Sequence, residues 1–195
     1  LDLDLLQLIE LALTEQKVEA PADTANAIFE FILQRFRAWF QDENIPTNVF
    51  LAVQARRPSR PLDFQQRVYA VNNFAALENA DALAAANKRV SNILAKQDIS
   101  SDKSLVNTHL LEEGPEQDLA EMVSKKAELI APMLEKFDYT GALENLADLR
   151  PAVDNFFDNV MVMTEDEEVR NNRLALLNQL RGLFLQVADI SLLQS

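Results

Sequence analysis

An all-α bundle of about eight helices is the fold this sequence predicts, and three observations carry that expectation. Glycine is scarce, 3 in 195 residues, whereas the hairpins of a sheet depend on glycine in their turns. Ala, Leu, Gln and Glu, all good helix formers, are plentiful instead. Apolar residues recur at helical spacing in segment after segment, with proline and polar clusters between them. At 48% apolar content the chain is long enough to enclose one sizeable core. We therefore read residues 1–195 as a single α-helical domain. The stretch "DISSDKSLVNTHLLEEG", residues 98–114, is the weakest for regular structure and the expected place for an internal hinge.

The first helix is expected from Leu1 to about Lys17, on the spacing Leu1, Leu5, Leu8, Ile9 and Ala12. "EAPAD" breaks it, and Asp23 or Thr24 is placed to cap a second helix reaching about Asp42. That helix carries the apolar stripe Phe29, Ile32, Leu33, Phe36 and Phe40. Arg35 and Trp39 stand i, i+4 on a neighbouring face, where guanidinium and indole can stack. After "ENIPT", Thr47 is expected to cap a short third helix through about Ala55. Two prolines then stiffen the loop "RRPSRP", which holds Arg56, Arg57 and Arg60. Helices from Pro61 to Leu77 and from Asp81 to Gln97 follow, and the short link "ENA" predicts an antiparallel hairpin. Pro115 opens a helix through about Phe137, with a kink expected at Pro132. "YTGALENLADLRPAVDNFFDNVMV" reads as a further helix, bent or broken near Pro151. The last helix has Thr164 and Glu167 at capping-box spacing and runs along Val169, Leu176, Leu180, Phe184 and Val187.

Composition excludes much chemistry. With no cysteine, neither a disulfide framework nor a thiolate metal site can form. A single histidine, His109, leaves no His-based metal cluster and argues against a His-dependent triad. No phosphate loop, dinucleotide-binding glycine motif or H-E-x-x-H occurs. "TEDEE" at 164–168 is the densest carboxylate group, and it falls in a first helical turn, where negative charge offsets the dipole. No uncharged apolar run approaches the ~18 residues of a membrane span. Leu1–Ile9 carries Asp2 and Asp4 and lacks a basic leader, so a soluble, cytoplasmic protein is expected. Residue 1 is Leu and the first Met is Met122, which we read as a piece of a longer polypeptide.

The net charge of −13 is unevenly spread. Residues 1–30 hold one Lys against seven acids, residues 31–100 nine bases against six acids, and residues 101–195 eight bases against eighteen. A locally basic, globally acidic chain fits either a selective binder with one anion-facing surface or simply a solvated bundle. Two helices have polar residues inside their core stripes. In "ALAAANKRVSNIL", residues 82–94, Leu83, Ala86, Val90 and Leu94 gather on one side, with Arg89, Asn92 and Lys96 opposite and Lys88 on the flank. Asn87 falls within the apolar stripe. A buried amide left without a hydrogen bond costs about 1–3 kcal/mol. Asn87 is thus either a satisfied structural residue bridging to a neighbouring helix or, at the rim of a groove, a reader of a base edge. Arg173 likewise lies in the stripe of Val169, Leu176 and Leu180, and either pairs with a buried carboxylate or points out of a cleft.

"RFRAWF" at 35–40, "ANKRVSNIL" at 86–94, "FFDNVMVM" at 156–163 and "RNNRLALLNQLRGLFLQVADISLLQ" at 170–194 resemble the C-terminal part of bacterial glycyl-tRNA synthetase β subunits. The resemblance implies a DALR-type anticodon-binding domain, itself an α-helical bundle. It further implies that glycine and ATP, with Mg, are handled on a separate α subunit, so this domain holds no cofactor and is non-catalytic alone. The implied partners are glycine tRNA and the α subunit, in a tetramer of two α and two β subunits, with no DNA and no membrane. By the same resemblance the helix of "ANKRVSNIL" and the region of "FFDNVMVM" with the last helix line the anticodon cleft. That nominates Asn87, Lys88, Arg89, Asn92, Arg170 and Arg173, with Arg35, Arg37, Arg56, Arg57, Arg60, Arg67 and Lys96 as phosphate contacts. The alternative is a helical protein-interaction module that docks a partner subunit without touching RNA.

Overall fold

Among the described residues, proline and polar punctuation divide the chain close to where the periodicity predicts, and the segment expected to bend or break near Pro151 is broken. The expected end of the first helix near Lys17 lies outside the described residues. A computed structural model describes residues 3–15, 21–97 and 105–194. Nine α-helices occur among the described residues: α1 (Leu5–Glu15), α2 (Thr24–Asp42), α3 (Thr47–Gln54), α4 (Pro61–Ala75), α5 (Ala80–Lys96), α6 (Pro115–Glu135), α7 (Tyr139–Ala147), α8 (Arg150–Asn159) and α9 (Glu167–Leu185). Short 3-10 turns cover Thr108–Leu110 and Ile190–Leu193. The ninth helix arises because the segment after Tyr139 breaks into α7 and α8 at residues 148–149, just ahead of Pro151, which has no N–H to donate back to the Ala147 carbonyl and sits in the first turn of α8. By contrast α6 runs on through Pro132 to Glu135.

Three helix starts differ in detail from their sequence signals. Asp23 stands at the start of α2 without capping it, its carboxylate accepting instead from the Asn26 amide at 3.0 Å. Pro46, not Thr47, holds the position before α3, and the Thr47 hydroxyl accepts from Gln41 at 3.1 Å. Asp166, not Thr164, caps α9, accepting from the amides of Glu168 at 3.0 Å and Val169 at 3.1 Å.

The core begins where α2, α3 and α4 meet. Phe40, Phe50 and Phe64 are all fully buried, with ring centroids 5.2–6.1 Å apart. From there α4 packs on α7, α7 on α6, and α6 on α8 and α9. α5 lies mainly against the 190–193 turn, α9 and α8, while α4 turns to α3 and α7. The pair is therefore not the close hairpin that its short link predicts. One face of α5 remains in solvent.

A polar knot ties the layers together. Arg67 on α4 pairs with Asp63 at 2.8 Å and donates to the carbonyls of Gln186 at 2.6 Å and Val187 at 2.9 Å. It also donates to the Tyr139 hydroxyl at 2.9 Å and lies over that ring at 4.3 Å. Tyr139 in turn donates to Asp63. Burial, and then the bond to Asp63, push the Tyr139 hydroxyl above its ordinary value of 10. Below pH 10 the tyrosine is protonated in both folded and unfolded states and its contribution to stability is complete. As pH rises further the unfolded chain loses its proton first, so stability falls. Thermal melts from pH 8 to 11 should show a steeper alkaline loss for wild type than for Tyr139→Phe. Tyr69→Phe is the control: its hydroxyl is also raised, by donation to Glu43, but at the surface.

Candidate nucleic-acid interface

α5 buries Leu83, Ala84, Val90 and Leu94, and Asn87 goes in with them at 3% exposure. The Asn87 amide donates to the Leu83 carbonyl at 3.0 Å, one turn back on its own helix. This is a satisfied buried amide, but it does not bridge to a neighbour. On the other side Lys88, Arg89, Asn92 and Lys96 are all turned to solvent, Asn92 flanked by Ser91 and Ile93 at the margin of the core. The Lys88 ammonium reaches the Gln194 carbonyl at 3.4 Å. The Arg89 guanidinium lies over the Phe157 ring of α8 at 4.2 Å, which presents a flat cation to solvent. Lys96, in the last turn, is favoured there by the helix dipole. A few residues past Phe157, the α8–α9 turn exposes Met161 to 75%.

Two nominated arginines of α9 serve that turn from inside. Arg173 is buried against Glu116, its Nε donating at 2.5 Å. It also donates to the Met161 carbonyl at 2.9 Å and lies 3.2 Å from Glu112. Arg170 donates to the carbonyls of Thr164 at 2.9 Å and Glu165 at 3.5 Å. Asn172, between them, pairs with the backbone of Asn107, accepting at 2.7 Å and donating at 3.0 Å. Of the expected hinge, residues 98–104 lie outside the described residues. The rest is fastened to α9 through Asn107 and Glu112.

The remaining nominees do not join the α5 face. Arg67 is committed to the knot described above. Arg57, at a φ of +50°, pairs with Glu30 at 2.9 Å and donates to Asn26 at 3.1 Å, holding its loop on α2. Arg35 stacks on Phe31 at 4.4 Å, not on Trp39. Arg37 on α2 and Arg56 after α3 are exposed, and Arg60 precedes α4 beside Asp4. Two residues of the site were not nominated. Phe157 had a signal: adjacent residues on a helix sit about 100° apart, so the "FF" pair cannot both face the middle of the core; Phe156 is fully buried and Phe157 sits half-buried at its margin. Arg181, which donates to Ser91 at 2.8 Å and pairs with Asp189 at 3.5 Å, had none.

Fold and face together define a helical binding module with one cationic, amide-bearing helix surface. Among the described residues no His, Cys, Asp and Glu cluster suits a metal ion, and no helix is long and apolar enough to cross a membrane. Residues 83–190 match the DALR anticodon binding domain, from the first buried leucine of α5 to the final turn, and the chain belongs to that family. It is 53% identical over 193 residues to a glycine–tRNA ligase beta subunit of Marinobacter nauticus, covering 99% of this chain and 28% of that protein. To those of Pseudoalteromonas translucida and Shewanella baltica it is 58% identical over 167 residues and 51% over 195, covering 86% and 100% of this chain and 24% and 28% of theirs. The chain thus spans about a quarter of the length of these relatives.

Proposed function

We propose that this chain is the anticodon-binding module of a glycine–tRNA ligase β subunit and takes glycine tRNA on the outer face of α5. One observation carries the proposal: the matched family segment opens on α5, whose solvent face collects Lys88, Arg89, Asn92 and Lys96 beside Phe157. Lys88 and Lys96 hold phosphates, and the Arg89–Phe157 pair offers a stacking surface for an unstacked base. The Asn92 amide supplies both a donor and an acceptor for a base edge. Arg67, Arg170, Arg173 and Asn87 spend their donors inside the domain and shape the face instead. In this reading the domain carries no catalytic group or cofactor. Glycine, ATP and Mg belong to the α subunit, two copies of which assemble with two β subunits in the cytoplasm.

The test is a titration of the chain against glycine tRNA and an anticodon-swapped tRNA at two salt concentrations. Affinity should fall with salt, and the swapped tRNA should bind more weakly by about 1–3 kcal/mol per misread base. Equal binding of the two tRNAs would defeat the recognition claim. Asn87→Ala is expected to leave both affinities within about twofold while lowering stability by about 1 kcal/mol. A selective loss of discrimination in that variant would put Asn87 back among the readers.

A further inference from the structure

The N-terminal layer, which lies before the matched family segment, leaves an apolar face uncovered. α1, "LLQLIELALTE", buries none of its residues fully: Leu5, Leu6 and Ile9 rest partly on the core, while Leu8 and Leu11 are 41% and 57% exposed. Along the outer side of α2, Phe31 is 55% and Trp39 44% exposed, with Arg35 between them. Leu62, in the first turn of α4, is 46% exposed. Between α2 and α4 runs a groove of roughly 240 Å³ lined by Phe36, Trp39, Phe40, Pro61, Leu62 and Gln65. The start of α1 is tied to the same corner: the Leu5 amide donates to the Ser59 carbonyl at 2.9 Å, and the Ser59 hydroxyl donates to Asp4 at 2.6 Å.

Exposed apolar side chains gathered at a groove mark an interface, and Trp and Arg are its usual anchors. RNA is a poor occupant, because the groove is lined by apolar side chains with Gln65 alone polar. The relatives point elsewhere. This chain matches the Marinobacter nauticus protein almost from end to end yet covers 28% of it, so most of such a polypeptide lies outside the matched part. We infer that the α1–α2–α4 face is where the remainder of a longer β-subunit polypeptide packs, an apolar segment of it seated along Phe31, Trp39 and Leu62. The inference rests on the β-subunit reading above but not on where tRNA binds.

The experiment compares two proteins by hydrogen exchange. One is the 195-residue chain. The other is the Marinobacter nauticus β subunit with this sequence in place of its matched 193 residues. Amides of α1, of the outer turns of α2 and of the start of α4 should exchange at least about tenfold more slowly in the longer protein, and those of α5 equally in both. Trp39→Glu with Leu62→Glu should abolish that difference while leaving the melting temperature of the 195-residue chain and its tRNA affinity unchanged. Equal exchange in the two proteins overturns the inference. So does protection that arrives only with the α subunit, only with tRNA, or only through self-association of the short chain.

Discussion

Arg173→Ala should destabilise the domain by about 3–5 kcal/mol, because it leaves a carboxylate charged and buried without its partner. Glu116 is 1% exposed, and the Arg173 guanidinium is its ion-pair partner. The same substitution removes the donor to the Met161 carbonyl, so the α8–α9 turn loses a fastening to α9. A domain of this size has about 5–15 kcal/mol in total, so the loss is a large fraction of it. Thermal melts should show a drop of roughly 6–20 °C. Replacing both partners, Arg173→Met with Glu116→Leu, should recover most of that loss, since the buried charges vanish together. The recovered double variant should also bind glycine tRNA as the wild type does. A drop under about 1 kcal/mol for Arg173→Ala would mean that the guanidinium is solvated and available, and would return it to the candidate RNA contacts.

Arg173 also shows what periodicity can and cannot reveal. Its place in the stripe of Val169, Leu176 and Leu180 marks it as an intruder in the core, since burial follows from the helix's own 3.6-residue repeat. Its partner Glu116 lies 57 residues back, at the start of α6, and no local pattern connects the two. Asn87 is visible for the same reason, yet its amide turns to its own helix, an outcome spacing does not distinguish from a bridge. Arg67 presents a readable i, i+4 pair with Asp63, but Tyr139 and the Gln186 carbonyl enter only when α4, α7 and the end of α9 assemble. For Arg35, Phe31 and Trp39 are both one turn away, so spacing alone does not choose between them. The exposed side of α5 needs only its own repeat, which is why Lys88, Arg89, Asn92 and Lys96 are legible as a group.

That independence makes the α5 face the cleanest place to test RNA binding. Replacing Lys88, Arg89 and Lys96 together by Gln removes three positive charges that stand in solvent and form no ion pair among the described residues. The fold should survive, since the contacts given up are the stacking of Arg89 on Phe157, worth about 0.5–1 kcal/mol at an exposed site, and the exposed 3.4 Å bond from Lys88 to the Gln194 carbonyl. Affinity for glycine tRNA should fall on the order of 100-fold at low salt, at about 1 kcal/mol for each cation removed. The slope of log affinity against log salt should become shallower by about 1.4, from roughly 0.7 for each phosphate released by Lys88 and Lys96. Arg89→Lys separates the two jobs of that residue. It keeps the charge, so the salt slope should hold, but it loses the planar stack, so affinity and anticodon discrimination should fall. If the triple variant keeps wild-type affinity and slope, the RNA lies on another surface. Arg170, Arg173 and Arg67 are poor substitutes, since each already donates to carbonyls or carboxylates of the fold, and an RNA phosphate would have to displace them.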